Sequence, residues 1–258
     1  MKTDRTINLV WLYPTLMSTY SDRGNIIVLM KRMHWRNIEV NLLEVEASDT
    51  VSKIEEADLI IGGGAQDRQQ EIVMRDLHKQ KGKALKKMLD SGTPGLFTCG
   101  SPQLLGHFYE PAVGKRIKGL GIFDLYSICP GPDEPRCIGN IVAEITGIKI
   151  DSEIKTLVGF ENHGGRTFLG KNTKPLGRVI SGFGNNGQDK TEGAVYNNAI
   201  ATYLHGPVLT KNVHLADYLI KTALENKYQK TVQLSQLEDT LEWETHHDIK
   251  NKIINREI

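Results

Sequence analysis

One stretch of this chain decides its fold, because it reads as a buried strand that turns sharply into a helix. It is Leu96-Phe97-Thr98-Cys99-Gly100-Ser101-Pro102-Gln103-Leu104-Leu105-Gly106. A cysteine at such a turn is held clear of the sheet, and the free N–H groups at the positive end of the following helix favour its thiolate. The pattern therefore predicts Cys99 as a nucleophile, and the alternative, a small buried apolar residue, stays open.

A cysteine nucleophile needs a base that the fold brings close to it. A histidine far along the chain is a candidate for that base. His205 follows an apolar run, 199–204, that is typical of a strand, and Gly206-Pro207 ends the run and exposes the side chain. His163 follows another apolar run and ranks second, because its crowded polar loop suits positioning or partner contact equally well. We therefore interpret His205 as the base.

A run of glycines supplies a place for the negative charge that acyl transfer develops. The strand-like segment 58–61 opens into Gly62-Gly63-Gly64, and consecutive glycines let backbone N–H groups point into a cleft. We expect the oxyanion hole at Gly63, Gly64 and Gly100. Neither G-x-G-x-x-G nor G-x-x-x-x-G-K-[ST] occurs in this turn, so a phosphate loop is the weaker reading.

Short apolar runs alternate with helical periodicity through the first part of the chain, which predicts a doubly wound, mostly parallel sheet flanked by helices. Such folds bind ligands at the carboxyl ends of the strands. After Gly119 the strands become closely spaced, which suits antiparallel strands added to the sheet. The expected elements are strands at 7–13, 38–45, 57–61, 94–98, 123–128, 141–146, 157–160 and 179–183, and helices at 25–36, 69–89, 211–226 and about 232–254. We expect one domain over residues 1–258.

Composition limits the classes of protein to which the chain can belong. It has 258 residues, 39% hydrophobic and 24% charged, with a formal net charge of +1. We expect a cytoplasmic protein without membrane insertion, because no apolar run approaches membrane-spanning length. The lysines of 79–87 lie on the polar side of a helical pattern, so no nucleic-acid partner is expected. Three irregularly spaced cysteines indicate reduced thiols, and no spacing predicts a metal site.

Together these motifs make the chain resemble the class I glutamine amidotransferases, which have a flavodoxin-like α/β fold, and within them the cobyric-acid-synthase-like branch. The motifs that carry the resemblance are Tyr20-Ser21-Asp22-Arg23-Gly24-Asn25, Ile61-Gly62-Gly63-Gly64, the Cys99 turn, Gly159-Phe160-Glu161-Asn162-His163-Gly164-Gly165-Arg166-Thr167 and Thr202-Tyr203-Leu204-His205-Gly206-Pro207. The resemblance implies hydrolysis of L-glutamine to glutamate and ammonia through a thioester on Cys99, with His205 as base and then acid.

The resemblance also implies a partner. The chain is most similar to glutaminase subunits that supply ammonia to a Mur-ligase-like subunit, which amidates the D-glutamate of lipid II in a heterodimer. No cofactor is then expected on this chain, and ATP and Mg²⁺ are expected on the partner, because a P-loop motif is absent here.

Two residues are candidates for binding the substrate glutamine. Arg136 lies in the polar, proline-rich stretch 131–137 and matches a glutamine-binding arginine of this branch. A planar guanidinium can bind a carboxylate with two parallel hydrogen bonds. An ordinary solvated arginine is the alternative of equal weight. Gln103, in the first turn after Cys99, is the weaker candidate.

One position departs from the wider superfamily, in which a glutamate two residues after the histidine orients the imidazole. Here that position is Pro207. Without an orienting group the imidazole is a weaker base, so the chain alone should be a slow glutaminase. Two alternatives from other classes stay open, a non-catalytic or regulatory binding module with this fold and a cysteine hydrolase that acts on another amide.

Overall fold

The computed structural model describes residues 5–19, 22–131 and 133–257. Tyr20 and Ser21 of the first motif and Pro132 of the Arg136 stretch lie outside the described residues. The helices and strands, in chain order, are β1 (Thr6–Leu12), α1 (Arg23–His34), β2 (Glu39–Val45), α2 (Ser52–Glu55), β3 (Leu59–Gly62), α3 (Asp67–Asp76), α4 (Gly82–Asp90), β4 (Gly95–Thr98), α5 (Gly100–Leu105), β5 (Phe108–Glu110), β6 (Ile117–Lys118), β7 (Leu125–Ile128), β8 (Cys137–Ile145), β9 (Thr156–His163), β10 (Arg166–Leu169), β11 (Gly177–Ser181), β12 (Thr191–Glu192), β13 (Ala194–Tyr196), β14 (Ala199–Thr202), α6 (Val213–Tyr228) and α7 (Thr240–Ile254).

The central sheet has the strand order β2-β1-β3-β4-β14-β13. All neighbouring strands in it are parallel except β13, which pairs antiparallel with β14. Every residue of β3, β4 and β14 is buried, as parallel strands covered on both faces require. The predicted doubly wound, mostly parallel sheet is confirmed, and it brings the carboxyl ends of β3, β4 and β14 side by side.

The closely spaced strands form sheets of their own, which corrects the expectation that they extend the central sheet. One sheet has the order β10-β7-β5-β6 and the other β12-β11-β8-β9. The second is buried on both faces along part of its length: Ile141 and Leu157 join the main core, while Val142 and Val158 pack against Ile253 of α7. A strand pair covered on both faces needs a layer of its own rather than a sheet edge.

The predicted helix 69–89 is interrupted. It consists of α3, a π-helical turn at Leu77–Lys81, and α4. Lys81, which the periodicity placed on the solvent side, is buried and donates from Nζ to Asp76 Oδ2 at 2.7 Å and to the Glu46 carbonyl at 2.6 Å. The wider turn therefore carries a charged side chain inward, where a carboxylate and a backbone carbonyl accept hydrogen bonds from its ammonium group.

The C-terminal helix begins later than expected, at Thr240 instead of about residue 232. The preceding segment 230–239 is not helical, because its polar groups bind arginines in α1 and just after it. Arg36 Nε donates to the Ser235 carbonyl at 2.8 Å, and Arg32 Nη1 donates to Asp239 Oδ1 at 2.6 Å. Within the described ranges, no helix combines the length and the apolar character that crossing a bilayer would need.

Candidate active site

Cys99 occupies the strained turn that its sequence predicts. It lies between the last residue of β4 and the first of α5, with φ 55° and ψ −100°. A positive φ is costly for a residue with a Cβ, so such a conformation persists only where the surrounding structure enforces it. This is the strand–turn–helix geometry that presents a nucleophile above the edge of a sheet.

The glycine turn after β3 packs directly against this elbow. A Cβ on Gly100 would lie 3.2 Å from the Ala65 nitrogen and 2.8 Å from Gln70 Nε2. A Cβ on Gly63 would lie 2.1 Å from the Met17 carbonyl oxygen, so a side chain there would displace backbone. Close packing thus requires glycine at both positions, and Ser101 Oγ of α5 donates to the Gly63 carbonyl at 2.6 Å, which joins the glycine turn to the elbow.

Asp22 ties the glycine turn to the elbow, and the sequence reasoning did not single it out. Its buried carboxylate accepts from Thr98 Oγ1 at 2.6 Å and from the Gly64 N–H at 2.9 Å. The Gly64 N–H is therefore directed at Asp22 and not into the site, and an oxyanion role for Gly63 and Gly100 stays a prediction. The signal in the sequence was an acidic residue after β1, at the edge where the parallel strands end.

The Cys99 thiol is held neutral, contrary to the expected thiolate. Burial raises its pKa to about 12, and the negative charge of Asp22 acts in the same direction. A hydrogen bond from the Gly100 N–H and the charge of Arg136 lower the pKa, but by less. Desolvation thus outweighs the helix N-terminus at this position.

The central sheet connects the Cys99 turn to the segment that precedes His205. The Cys99 N–H donates to the Thr202 carbonyl at 2.9 Å, three residues before His205. The His205 backbone pairs with Phe160, with the His205 N–H donating to the Phe160 carbonyl at 2.8 Å. Burial and the nearby His163 lower the pKa of His205 to about 4, so its imidazole is neutral at pH 7 and can accept a proton.

His163 is packed into the polar core next to the site. Its ring stacks on Tyr203 with centroids 3.8 Å apart, and its Nδ1 donates to the Gly165 carbonyl at 2.7 Å. The Nε2 atom lies 3.8 Å from Glu161 Oε2. Stacking and this hydrogen bond fix the ring, which suits the positioning role that kept His163 in second place.

The two substrate-binding candidates differ in their surroundings. Gln103 is buried, with Nε2 donating to the Tyr203 hydroxyl at 3.2 Å and Oε1 accepting from Gln70 Nε2 at 3.0 Å. Arg136 is exposed, and its Nε and Nη2 donate to Asn162 Oδ1 at 3.2 and 2.9 Å. Both ends of the Gln103 amide are thus engaged inside the chain, whereas Arg136 is exposed and its charge acts on the Cys99 thiol.

The position that holds a glutamate elsewhere in the superfamily faces helix α1. A Cβ on Gly24 would lie 2.0 Å from Pro207 Cγ, so Pro207 packs against the first turn of that helix. Across residues 5–19, 22–131 and 133–257, no group of three or more His, Cys, Asp or Glu side chains is arranged to hold a metal ion.

Comparison with known proteins agrees with this geometry. The model of a family described as the CobB/CobQ-like glutamine amidotransferase domain matches residues 8–213. The GatD subunit of lipid II isoglutaminyl synthase (glutamine-hydrolyzing) from Staphylococcus aureus strain N315 is 42% identical over 211 residues, which is 82% of each chain. The subunit of the same name from Streptococcus pneumoniae strain R6 is 38% identical over 95% of this chain and 92% of its own.

Solved structures show the same fold at low sequence identity. One glutamine amidotransferase matches with a TM-score of 0.57 at 16% identity, over 83% of this chain and 98% of its own. A second, from Thermotoga maritima, matches with a TM-score of 0.53 at 14% identity, over 97% of both chains.

Proposed function

The chain belongs to the CobB/CobQ-like glutamine amidotransferase family, and we propose that it serves as the glutamine-hydrolysing subunit of a lipid II isoglutaminyl synthase. The chain is a glutamine amidotransferase enzyme, as the family and its relatives at 38% and 42% identity indicate. The observation that carries the proposal is the position of Cys99 in a strained elbow, whose N–H is bonded to Thr202, three residues before a buried neutral histidine.

The reaction follows from these groups. Cys99 Sγ attacks the side-chain carbonyl carbon of glutamine while His205 takes the thiol proton. The N–H groups of Gly63 and Gly100 would receive the charge on the carbonyl oxygen. The C–N bond then breaks, and ammonia leaves with the proton that His205 returns. Water, deprotonated by His205, attacks the thioester and releases glutamate and the Cys99 thiol.

Arg136 would bind the α-carboxylate of the substrate. Its guanidinium is oriented by Asn162, and its charge is close enough to lower the pKa of the Cys99 thiol. The Nη1 atom is 3.1 Å from where a Cβ on Gly164 would lie, so the guanidinium packs closely against the backbone of Gly164. A carboxylate bound at Arg136 would thus lie beside the nucleophile. Gln103 instead keeps the Tyr203 hydroxyl in place from within the core.

The ammonia would be used by a second subunit. We assign that role to a MurT-like Mur-ligase subunit that forms a heterodimer with this chain and amidates the D-glutamate of lipid II to D-isoglutamine. ATP and Mg²⁺ would bind to that subunit, since activation of a carboxyl group needs them and this chain carries no P-loop motif. A cytoplasmic location fits such a partner.

The partner would also complete the catalytic site. Pro207 packs against Gly24 and supplies no carboxylate, while the Cys99 thiol and the His205 imidazole are both neutral at pH 7. A carboxylate from the partner near His205 would stabilise the imidazolium that forms when the thiol loses its proton. Docking would then raise the rate of glutamine hydrolysis.

The test measures glutamate release from L-glutamine by the chain alone and by its complex with a co-purified Mur-ligase-like subunit. We expect release by the wild type, a higher rate in the complex, and no release by Cys99→Ala or His205→Ala. Matched controls are Cys129→Ala, at a second free cysteine, and His78→Ala, at an exposed histidine. Equal rates with and without the partner would reject the completed site, and no glutamate in either would favour another amide substrate or a binding module.

A further inference from the structure

A buried carboxyl group binds the segment that precedes His205 and takes no part in the reaction described above. Glu192, at the end of β12, is 0% exposed. Its Oε1 accepts from Thr202 Oγ1 at 2.5 Å and from the Tyr203 N–H at 3.0 Å. One carboxylate oxygen thus holds two consecutive residues of the segment that leads to His205.

The hydroxyl of Thr202 extends this control to the next residue. Thr202 Oγ1 donates to Glu192 and accepts from the Leu204 N–H at 3.0 Å. The three residues before His205 are therefore held by Glu192, two of them directly and Leu204 through the Thr202 hydroxyl. Their backbone bends away from the strand pairing here, since Thr202 is the last residue of β14.

The same three residues span the gap between the two catalytic groups. The Thr202 carbonyl accepts from the Cys99 N–H at 2.9 Å, and the His205 N–H donates to Phe160 at 2.8 Å. The bend between these fixed points sets the position of the imidazole relative to the thiol. A rigid link of this kind matters, because displacement of a reacting group by about 1 Å can cost about 100-fold in rate.

Burying a carboxyl group at this position lowers the stability of the fold. Burial raises the pKa of Glu192 to about 7, with the nearby Glu161 adding to the rise. Glu192 Oε2 has no hydrogen-bond partner among residues 5–19, 22–131 and 133–257. A buried polar atom without a partner destabilises a protein, so a function other than stability explains its presence best.

We propose that Glu192 is a positioning residue of the glutaminase site, which fixes His205 relative to Cys99 through Thr202 and the backbone of Tyr203 and Leu204. The role rests on the proposed glutamine hydrolysis. Glu192 acts through other residues and does not replace the missing orienting carboxylate, because its bonded oxygen is directed at Thr202 and Tyr203.

The first measurement is the kinetics of glutamine hydrolysis by the complex with Glu192→Ala and Glu192→Gln. We expect Glu192→Ala to lower kcat by about 10- to 100-fold with a change in KM below about threefold, because Arg136 and its surroundings are unaltered. Glu192→Gln should keep at least about a third of kcat, since its amide oxygen accepts the same two hydrogen bonds. Glu144→Ala is the matched control, an exposed glutamate of the same sheet paired with Arg178.

A second pair of variants covers the case in which Glu192→Ala fails to fold. Thr202→Val keeps the shape and removes the hydroxyl that joins Glu192 to Leu204, and Thr202→Ser restores it. A loss of kcat in Thr202→Val with recovery in Thr202→Ser supports the proposal, and an unchanged kcat in Thr202→Val overturns it.

Two further outcomes overturn the positioning role while the proposed function stands. One is an active wild type with an equally active Glu192→Ala, and the other is a Glu192→Gln as impaired as Glu192→Ala. A wild-type complex that releases no glutamate overturns the proposed function itself and, with it, the role of Glu192.

Discussion

Two regions of this molecule bind carboxyl groups with different kinds of donor: buried carboxyls beside the active site, and partly buried ones near the C-terminal segment. Next to the active site, the hydrogen bonds described for Asp22 and Glu192 come from backbone N–H groups and threonine hydroxyls. At the C-terminal segment, Asp217 and Asp239 accept from the buried guanidinium of Arg32. Burial raises the pKa of Asp22 and Glu192, and the hydrogen bonds from these neutral donors offset the rise only in part, whereas an arginine stays charged at every working pH.

The difference separates chemistry from attachment. The neutral donors beside the active site fix the backbone within a few residues of Cys99 and His205. The arginine network joins α1 to α6 and to the segment before α7, which are 185 and 207 residues away along the chain from Arg32. Changes beside the active site should therefore alter the rate of reaction, whereas changes in the arginine network should alter the stability of the fold without a comparable loss of rate.

The largest expected effect is on stability. Arg32, with 2% of its side chain exposed, donates to Asp217 at 2.7 and 2.8 Å and to Asp239 at 2.6 and 2.8 Å. Arg32→Ala should lower the free energy of unfolding by about 3 kcal/mol, because it removes a buried cation, leaves Asp239 without this arginine and leaves Asp217 with Arg36 alone. Urea unfolding measures this change.

Arg178→Ala is the control for that substitution. It breaks an exposed pair with Glu144 and should cost about 1 kcal/mol or less. The comparison of the two regions fails if both substitutions have similar effects on stability, or if folded Arg32→Ala hydrolyses glutamine at a much lower kcat than the wild type.

A smaller effect should appear in the pH dependence of stability. The pKa of Glu192 is about 7 in the folded chain against an ordinary 4.5, so the native state holds a proton there that the unfolded state has lost. The free energy of unfolding should therefore fall as the pH rises from 5 to 7, by about 3 kcal/mol at most from this group.

Glu192→Gln removes this dependence, because an amide does not titrate. Urea unfolding of both proteins at pH 5, 6, 7 and 8 should show the wild type losing stability relative to the variant up to about pH 7 and then running parallel to it. Parallel curves across the whole range would show that Glu192 is ionised throughout.

The smallest effect concerns the reactivity of Cys99. Asp22→Asn removes a negative charge that raises the pKa of the thiol, so alkylation of Cys99 by iodoacetamide at pH 8 should become about three- to tenfold faster. Asp90→Asn, at an exposed carboxylate paired with Lys86, should leave the rate unchanged. An unchanged or slower rate in Asp22→Asn would show that its bonds to Thr98 and Gly64 matter more for reactivity than its charge.

Much of the fold and part of the site could be predicted because the signals are local. Apolar runs and turn glycines mark β3, β4 and the Cys99 elbow within about ten residues each. The extent of α7 could not be predicted, because Asp239 and Ser235 bind arginines about 200 residues earlier in the chain. Periodicity favours a helix there and carries no information about such distant partners.

The protonation states and the supporting carboxyls needed the folded chain for the same reason. A helix N-terminus favours a thiolate, but the burial of Cys99 and the proximity of Asp22, 77 residues earlier by number, outweigh it. Glu192 is a single acidic residue between a threonine and a glycine, and its sequence gives no sign of the Thr202 hydroxyl. The local signal for such a residue is an acidic side chain next to an otherwise apolar strand.

The contact between Gly24 and Pro207 restricts the residues that these two positions can accept. A Cβ on Gly24 would lie 2.0 Å from Pro207 Cγ, so the proline ring fills the space that a side chain at position 24 would need. A larger residue at position 24 would therefore have to displace Pro207 or move the first turn of α1. We therefore expect positions 24 and 207 to vary together among related chains, because a larger residue at either position requires a smaller one, or a shift of α1, at the other.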